Sequence, residues 1–296
     1  MAPTPTRSDA LALTRPDADL FVPDGAPAAA ALARVTHLGI AAHADDLEIM
    51  AYHGIRTGQQ EPGARFGAVV CTDGAGAPRA GPHAALTDEQ MRRLRRDEQR
   101  EAAHRGGYAV AVQLDHPSAS LRRGAAPEVV RDLTAVLAAT RPRVVYTHNP
   151  MDAHVTHLGV CAAAIDAIRA LPADLRPARV LGCEGWRGLD WLSDADKTWL
   201  DLGRDDAAWS HLIGAFASQI EGGRPYGEGA LGRARANGVF RQARESGGHE
   251  RLWLAIDLTE LTRDGGADLA GFVHARLDRF AREVMDALAR ARARGG

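Results

Sequence analysis

The stretch Leu38-Gly39-Ile40-Ala41-Ala42-His43-Ala44-Asp45-Asp46-Leu47-Glu48-Ile49-Met50 runs from an apolar segment, through an imidazole and two adjacent carboxylates, into a helical pattern. A short apolar run of this kind reads as a buried strand handing over to a helix. The polar groups then stand at the carboxyl end of the strand, which is where open α/β sheets build their ligand sites. The arrangement recurs later in the chain, where Val144-Val145-Tyr146 is followed by Asp152-Ala153-His154-Val155-Thr156-His157. The two clusters are expected to meet across a sheet edge as one metal site.

Working outward, short β-like runs alternate with longer helical ones. Strands are expected over 35–42, 66–71, 108–114, 143–147, 180–184 and 251–257. Helices are expected over 46–57, ended by Gly58, and over 87–105, 127–140, 154–171 and 269–292. Thr87-Asp88-Glu89-Gln90 has the form of a capping box, and Pro127 suits a first helical turn. Strands spaced by helices in this way imply βαβ units and a mostly parallel sheet covered on both faces, an α/β, Rossmann-like three-layer sandwich. Residues 1–34 read as a loosely ordered N-terminal arm, and 35–296 as one domain with its core at 35–185. In the remaining part, 186–296, Trp186, Trp191, Trp199 and Trp209 and the loop-like 222–227 suggest a cap or rim that shapes a pocket.

Composition restricts the partners. The chain has 296 residues, a formal net charge of −2 and 45% apolar content, so no overall field draws it to nucleic acid or an anionic membrane. No signal peptide or spanning segment is readable, which points to a cytoplasmic protein. Cys71, Cys161 and Cys183 lie in apolar runs without CxxC pairing, as reduced core thiols would. Of 36 basic residues only Lys197 is lysine, a bias expected of GC-rich coding.

The residue types point to hydrolytic metal chemistry. Catalytic zinc takes three protein ligands and keeps one position for water. His43 and Asp46, three apart at a helix start, fall on one side of the turn, and His157 can supply the third ligand. Asp45 then remains free to act as general base, and His154, one turn before His157, can stabilise an oxyanion or pass a proton to a leaving amine. Two imidazoles and one carboxylate also suit Fe2+ or Co2+.

At these residues the chain resembles the PIG-L/LmbE-like family of zinc-dependent N-deacetylases. The likeness lies in His43-Ala44-Asp45-Asp46-Leu47-Glu48 and His154-Val155-Thr156-His157, and extends through Thr72-Asp73-Gly74 and Leu94-Arg95-Arg96-Asp97-Glu98 over roughly 35–185. It implies a Rossmann-like fold, one zinc on His43, Asp46 and His157, Asp45 as base, and His154 as oxyanion stabiliser or acid. Implied substrates are N-acetylglucosamine-type glycoconjugates or antibiotic precursors. The wording of Glu48-Ile49-Met50-Ala51-Tyr52 and Tyr146-Thr147-His148-Asn149 is similar to the branch acting on aminoglycoside precursors of N-acetylparomamine type. The chain departs from the family in having Thr156 where an Asp commonly precedes the second His; Asp152 is the candidate substitute.

Arg95 matches a helix arginine that faces the pocket in relatives, although its run of neighbouring arginines also suits a solvated helix face. Asp73 is expected either to bond sugar hydroxyls or to hold its turn, and His116 is a further pocket candidate. A competing reading is a nucleotide-binding Rossmann enzyme using the Gly-rich loop 72–76. It lacks GxGxxG after the first strand, and the carboxylates at that turn would repel a pyrophosphate. The Arg-rich end 290–294 suits a helix dipole without any nucleic acid partner.

Overall fold

Eight strands form one sheet in the computed structural model, which describes residues 11–124, 126–221, 224–242, 251–263 and 268–293. The strands are β1 (Asp19–Phe21), β2 (His37–Ala41), β3 (Phe66–Thr72), β4 (Val110–His116), β5 (Val144–His148), β6 (Arg179–Cys183), β7 (Thr198–Asp201) and β8 (Leu252–Asp257). The helices are α1 (Ala28–Ala33), α2 (Asp46–Met50), α3 (Tyr52–Gln60), α4 (Asp88–Gly106), α5 (Ser118–Arg122) and α6 (Pro127–Thr140), followed by α7 (Val155–Arg169), α8 (Asp206–Ile213), α9 (Ala217–Ile220), α10 (Tyr226–Gln242) and α11 (Leu269–Ala293).

The sheet order is β1-β4-β3-β2-β5-β6-β8-β7. The run from β4 to β6 is parallel, and β1, β8 and β7 add antiparallel edges. Every residue of β2, β3 and β4 is buried, as a strand covered on both faces requires. Alternate residues feed opposite layers. Leu38 and Ile40 pack with α6 and α7 residues such as Leu133 and Val160, while Ala41 and Val70 pack with Leu47, Ile55 and Trp209. Thr87 and Gln90 close the expected capping box at the start of α4.

Several elements differ from their sequence reading. The helix expected over 46–57 is two helices broken at Ala51, and α3 runs past Gly58 to Gln60. Gly58 serves a close helix-to-strand contact rather than a helix end, since a Cβ there would lie 2.7 Å from the backbone nitrogen of Phe66. The segment read as an arm is tied to the body where it is described: β1 pairs with β4, α1 buries Ala31 and Leu32, and Thr14 bonds Asp132 through its N–H at 2.8 Å and its hydroxyl at 2.7 Å. These runs are too short to show a period. Residues 1–10 lie outside the described residues, as do 222 and 223 of the expected loop, whose last two members, Tyr226 and Gly227, open α10. The short strand β7 was not legible. Among the described residues no helix is long and apolar enough to cross a membrane.

Candidate metal centre

The chain leaves β2 toward β3 and β4 on one side and returns to place β5 on the other, so a crevice opens beyond the carboxyl ends of β2 and β5. Both sequence clusters fall there. His43 Nδ1 stands 3.1 Å from Asp46 Oδ2 and 3.3 Å from His157 Nε2, and His157 Nε2 stands 3.4 Å from Asp46 Oδ1. Donor atoms held tetrahedrally at zinc-type bond lengths stand roughly 3.3 Å apart. The donor set fits a divalent ion by both spacing and chemistry. His157 also groups with His43 and His154, and with Asp46 and His148, within 4.8 Å.

His148, the last residue of β5, was not singled out from sequence as a site residue. Its ring stacks on that of His157 at 3.9 Å between centroids, and its Nε2 accepts the Ala42 N–H at 2.9 Å. Burial pushes its pKa down to about 4, so it stays neutral. That backbone bond occupies the lone pair a metal would need, which leaves His43 the better-placed imidazole. The signal for His148 was its place at the carboxyl end of a central strand.

Electrostatics separate the two aspartates. Burial raises the Asp46 carboxyl, but His157 and His43 beside it prevail and hold it well below the usual range. Burial also raises Asp45, against the pull of the Arg95 guanidinium, and with Asp46 adding repulsion its net direction is upward. Asp45 adopts a left-handed backbone at φ 92°, a costly conformation for a non-glycine residue that turns its carboxylate away from the helix start. Arg95 receives it, donating to Asp45 Oδ2 at 2.9 Å, to the Ala44 carbonyl and to Glu98 Oε2 at 3.1 Å. Arg95 is buried, not a solvated helix charge.

His154 lies at the mouth of the site, its ring centroid 4.5 Å from His157 and 5.0 Å from His43. Burial and those two neighbours lower its pKa, favouring the neutral imidazole over the imidazolium. Its Nδ1 is buried with no hydrogen-bond partner among the described residues. Asp152 lies behind the centre rather than facing substrate: Oδ2 stands 3.4 Å from His157 Nδ1 and accepts the Trp186 N–H at 3.2 Å, while Oδ1 accepts the His154 N–H at 3.1 Å. It orients His157, not the His154 ring. A Cβ at Gly185 would lie 2.5 Å from Asp152 Oδ2, so glycine keeps that approach open.

The expectation for His116 is corrected, and Asp73 takes the turn role, one of its two readings. His116 bonds Asp132 at 2.8 Å with both side chains buried, and belongs to the clamp on Thr14 rather than to the pocket. Asp73 holds its own turn through the Ala75 N–H at 3.0 Å and pairs with Arg92 at 3.3 Å, yet it still lines the cleft. Of the four tryptophans expected at the rim, Trp186 reaches the cleft. Trp209 is buried between Tyr52 and Trp253, and Trp191 packs on Phe280.

The cleft has two lobes that share Asp45, Asp46, Trp186, Arg224 and Tyr226. One, of about 630 Å3, is walled by Ile49, Met50, Trp186, Tyr226, Ala230 and Trp253. The other, of about 450 Å3, carries His43, Asp73, Ser118, Arg122, His154 and Gln219.

None of the curated proteins matches this chain. Among solved structures it is similar to a conserved protein of Thermus thermophilus (20% identity, 75% of this chain and 94% of that one, TM-score 0.60). It is similar also to the 4-carboxy-2-hydroxymuconate hydratase of Pseudomonas putida (18%, 76% and 96%, 0.58) and to the N,N'-diacetylchitobiose deacetylase of Pyrococcus horikoshii (18%, 74% and 83%, 0.54). At these identities the likeness is one of fold, which a hydratase and a deacetylase share, so activity has to be argued from the site. The family model described as PIG-L, GlcNAc-PI de-N-acetylase, matches residues 38–168, the span that carries both clusters. Over that span the chain is similar to the PIG-L family.

Proposed function

We propose that this protein is a zinc-dependent hydrolase that removes the N-acetyl group of an amino sugar. The observation that carries the reading is the meeting of His43 Nδ1, Asp46 and His157 Nε2 within 3.1–3.4 Å of one another while the Asp45 carboxylate stays outside the trio. His43, Asp46 and His157 would hold the ion, which when bound supplies Lewis acidity and makes water a nucleophile at neutral pH. Asp45 takes the proton of the attacking water, and its raised pKa suits that task. His154, neutral and at the cleft mouth, donates an N–H to the oxyanion that forms from the amide carbonyl. The C–N bond then breaks, the proton held on Asp45 passes to the amine nitrogen, and the products are acetate and a free amine. Arg95 keeps the Asp45 carboxylate in place throughout. The match of residues 38–168 to the model described as GlcNAc-PI de-N-acetylase supports the amide and the amino sugar as substrate class.

The test is acetate release from N-acetylglucosamine and N-acetylated pseudodisaccharides, together with metal content. About one zinc per chain, activity abolished by chelator and restored by Zn2+, is expected. A metal-loaded protein that releases no acetate from any of them overturns the reading.

A further inference from the structure

We infer that the larger lobe is an acyl pocket and that the substrate class extends from N-acetyl amino sugars to those acylated with longer chains; this rests on the hydrolase reading above. An amide carbon has two substituents, the acyl chain and the amine. The cleft has two lobes, and both are bounded by Asp45 and Asp46 at the reacting centre. Their chemistry differs in the same sense as the two halves of such an amide. The smaller lobe presents hydrogen-bonding groups from Asp73, Ser118, Arg122 and Gln219, which suit hydroxyls. The larger is walled mainly by Ile49, Met50, Ala230 and Trp253, with Trp186 and Tyr226 shared between the lobes and Arg224, Arg233, His148 and His157 also on its boundary.

Size makes the same point. A methyl group is close to a water molecule in bulk, whose share of liquid volume is about 30 Å3. The lobe offers about 630 Å3, within the range of pockets that enclose whole organic ligands. An acetyl group alone leaves most of that apolar wall without a partner. The wall is also firmly built. Trp253 donates its indole N–H to the Glu184 carbonyl at 3.1 Å and packs edge-on against Trp209, and Arg233 bonds the Gly185 carbonyl while lying over the Trp253 ring. Trp186 meets Tyr226 edge-on at 5.5 Å. Trp186 also hangs by its N–H from Asp152, the carboxylate beside His157, so wall and metal centre share one anchor.

The experiment is a chain-length series on the zinc-loaded protein: N-acetyl-, N-butyryl-, N-hexanoyl- and N-octanoyl-glucosamine, with release of free amine as the readout. Burial of each methylene is expected to raise kcat/KM about threefold to fourfold, so over four methylenes the hexanoyl amide should exceed the acetyl amide about 80- to 250-fold. Gly229 lines the lobe and has open space around the position of a Cβ, so Gly229→Leu and Gly229→Trp can fill the lobe with little strain and with a gain in helix propensity. They are expected to reduce the octanoyl-to-acetyl ratio by at least tenfold, the tryptophan more than the leucine, with far-UV circular dichroism reporting the fold. A series in which acetyl is cleaved best and longer chains progressively worse overturns the acyl pocket and leaves the hydrolase reading standing. A series inert throughout removes both.

Discussion

Arg95 Nη2 reaches Asp45 Oδ2 at 2.9 Å from the buried side of α4, across 50 residues of sequence. The same guanidinium holds Glu98, whose carboxylate accepts the Ser218 N–H at 2.6 Å and its hydroxyl at 2.8 Å. A hydrogen-bonded line thus runs from Ser218 of α9 through Glu98 and Arg95 to Asp45. Arg95→Ala is expected to lower kcat by about 10- to 100-fold and to destabilise the fold by about 3–5 kcal/mol, because Glu98 is left buried without its partner. Arg95→Lys keeps the charge but loses the planar fork and should fall between. Steady-state kinetics and urea unfolding check this; a rise in KM alone would instead mark Arg95 as a substrate contact.

Asp45→Asn preserves size and removes the ability to accept a proton. Loss of about 10^2- to 10^4-fold in kcat is expected, with metal content per chain unchanged by elemental analysis. Loss of the metal with the activity would place Asp45 among the ligands.

Asp152 stands behind His157 in the position of a carboxylate that fixes a ligand imidazole. Asp152→Asn should weaken metal affinity by about 10- to 100-fold, measured by competition with a chromophoric chelator. An unchanged affinity would leave Asp152 only its backbone contacts to His154 and Trp186.

The buried clamp of His116, Asp132 and Thr14 makes a prediction about stability rather than turnover. Thr14→Val removes one hydrogen bond to a fully buried carboxylate and should cost about 1–3 kcal/mol. Chemical denaturation measures it, and KM for substrate should stay unchanged within error.

His53 bonds the Tyr146 hydroxyl at 2.9 Å, and burial, with His37 and Arg56 nearby, lowers its pKa to about 4. The unfolded chain, with an ordinary histidine near 6.5, therefore takes up a proton first as pH falls. The stability His53 contributes is complete above about 6.5 and is lost as pH drops through the window down to about 4. His53→Gln should flatten the fall of Tm across that window; an unaltered slope would refute the assignment.

Much of this was readable in the chain. β2, β3 and β5 announce themselves because parallel strands buried on both faces carry unbroken apolar runs, and α4 because its capping box precedes a long charged helix. His43, Asp46 and His157 were legible because each follows such a strand, so topology alone brings them together. His148 and the true partner of Asp152 were not, since both depend on side-chain directions within the crevice. His116 misled for the same reason: at the end of β4 it resembles a pocket residue, and only the packing of Thr14 and Asp132 against it shows otherwise. β1 and β7 are held by edge pairing that three or four residues cannot advertise.

The pairing of β2 with β5, His37 opposite Val144 through Gly39 opposite Tyr146, has a consequence for how the protein matures. Its two strands belong to separate βαβ halves, and each half alone carries an incomplete set of donors. Cation uptake should therefore coincide with closure of the central seam during refolding, so that a tightly held ion reports that the halves have zipped together in the right register.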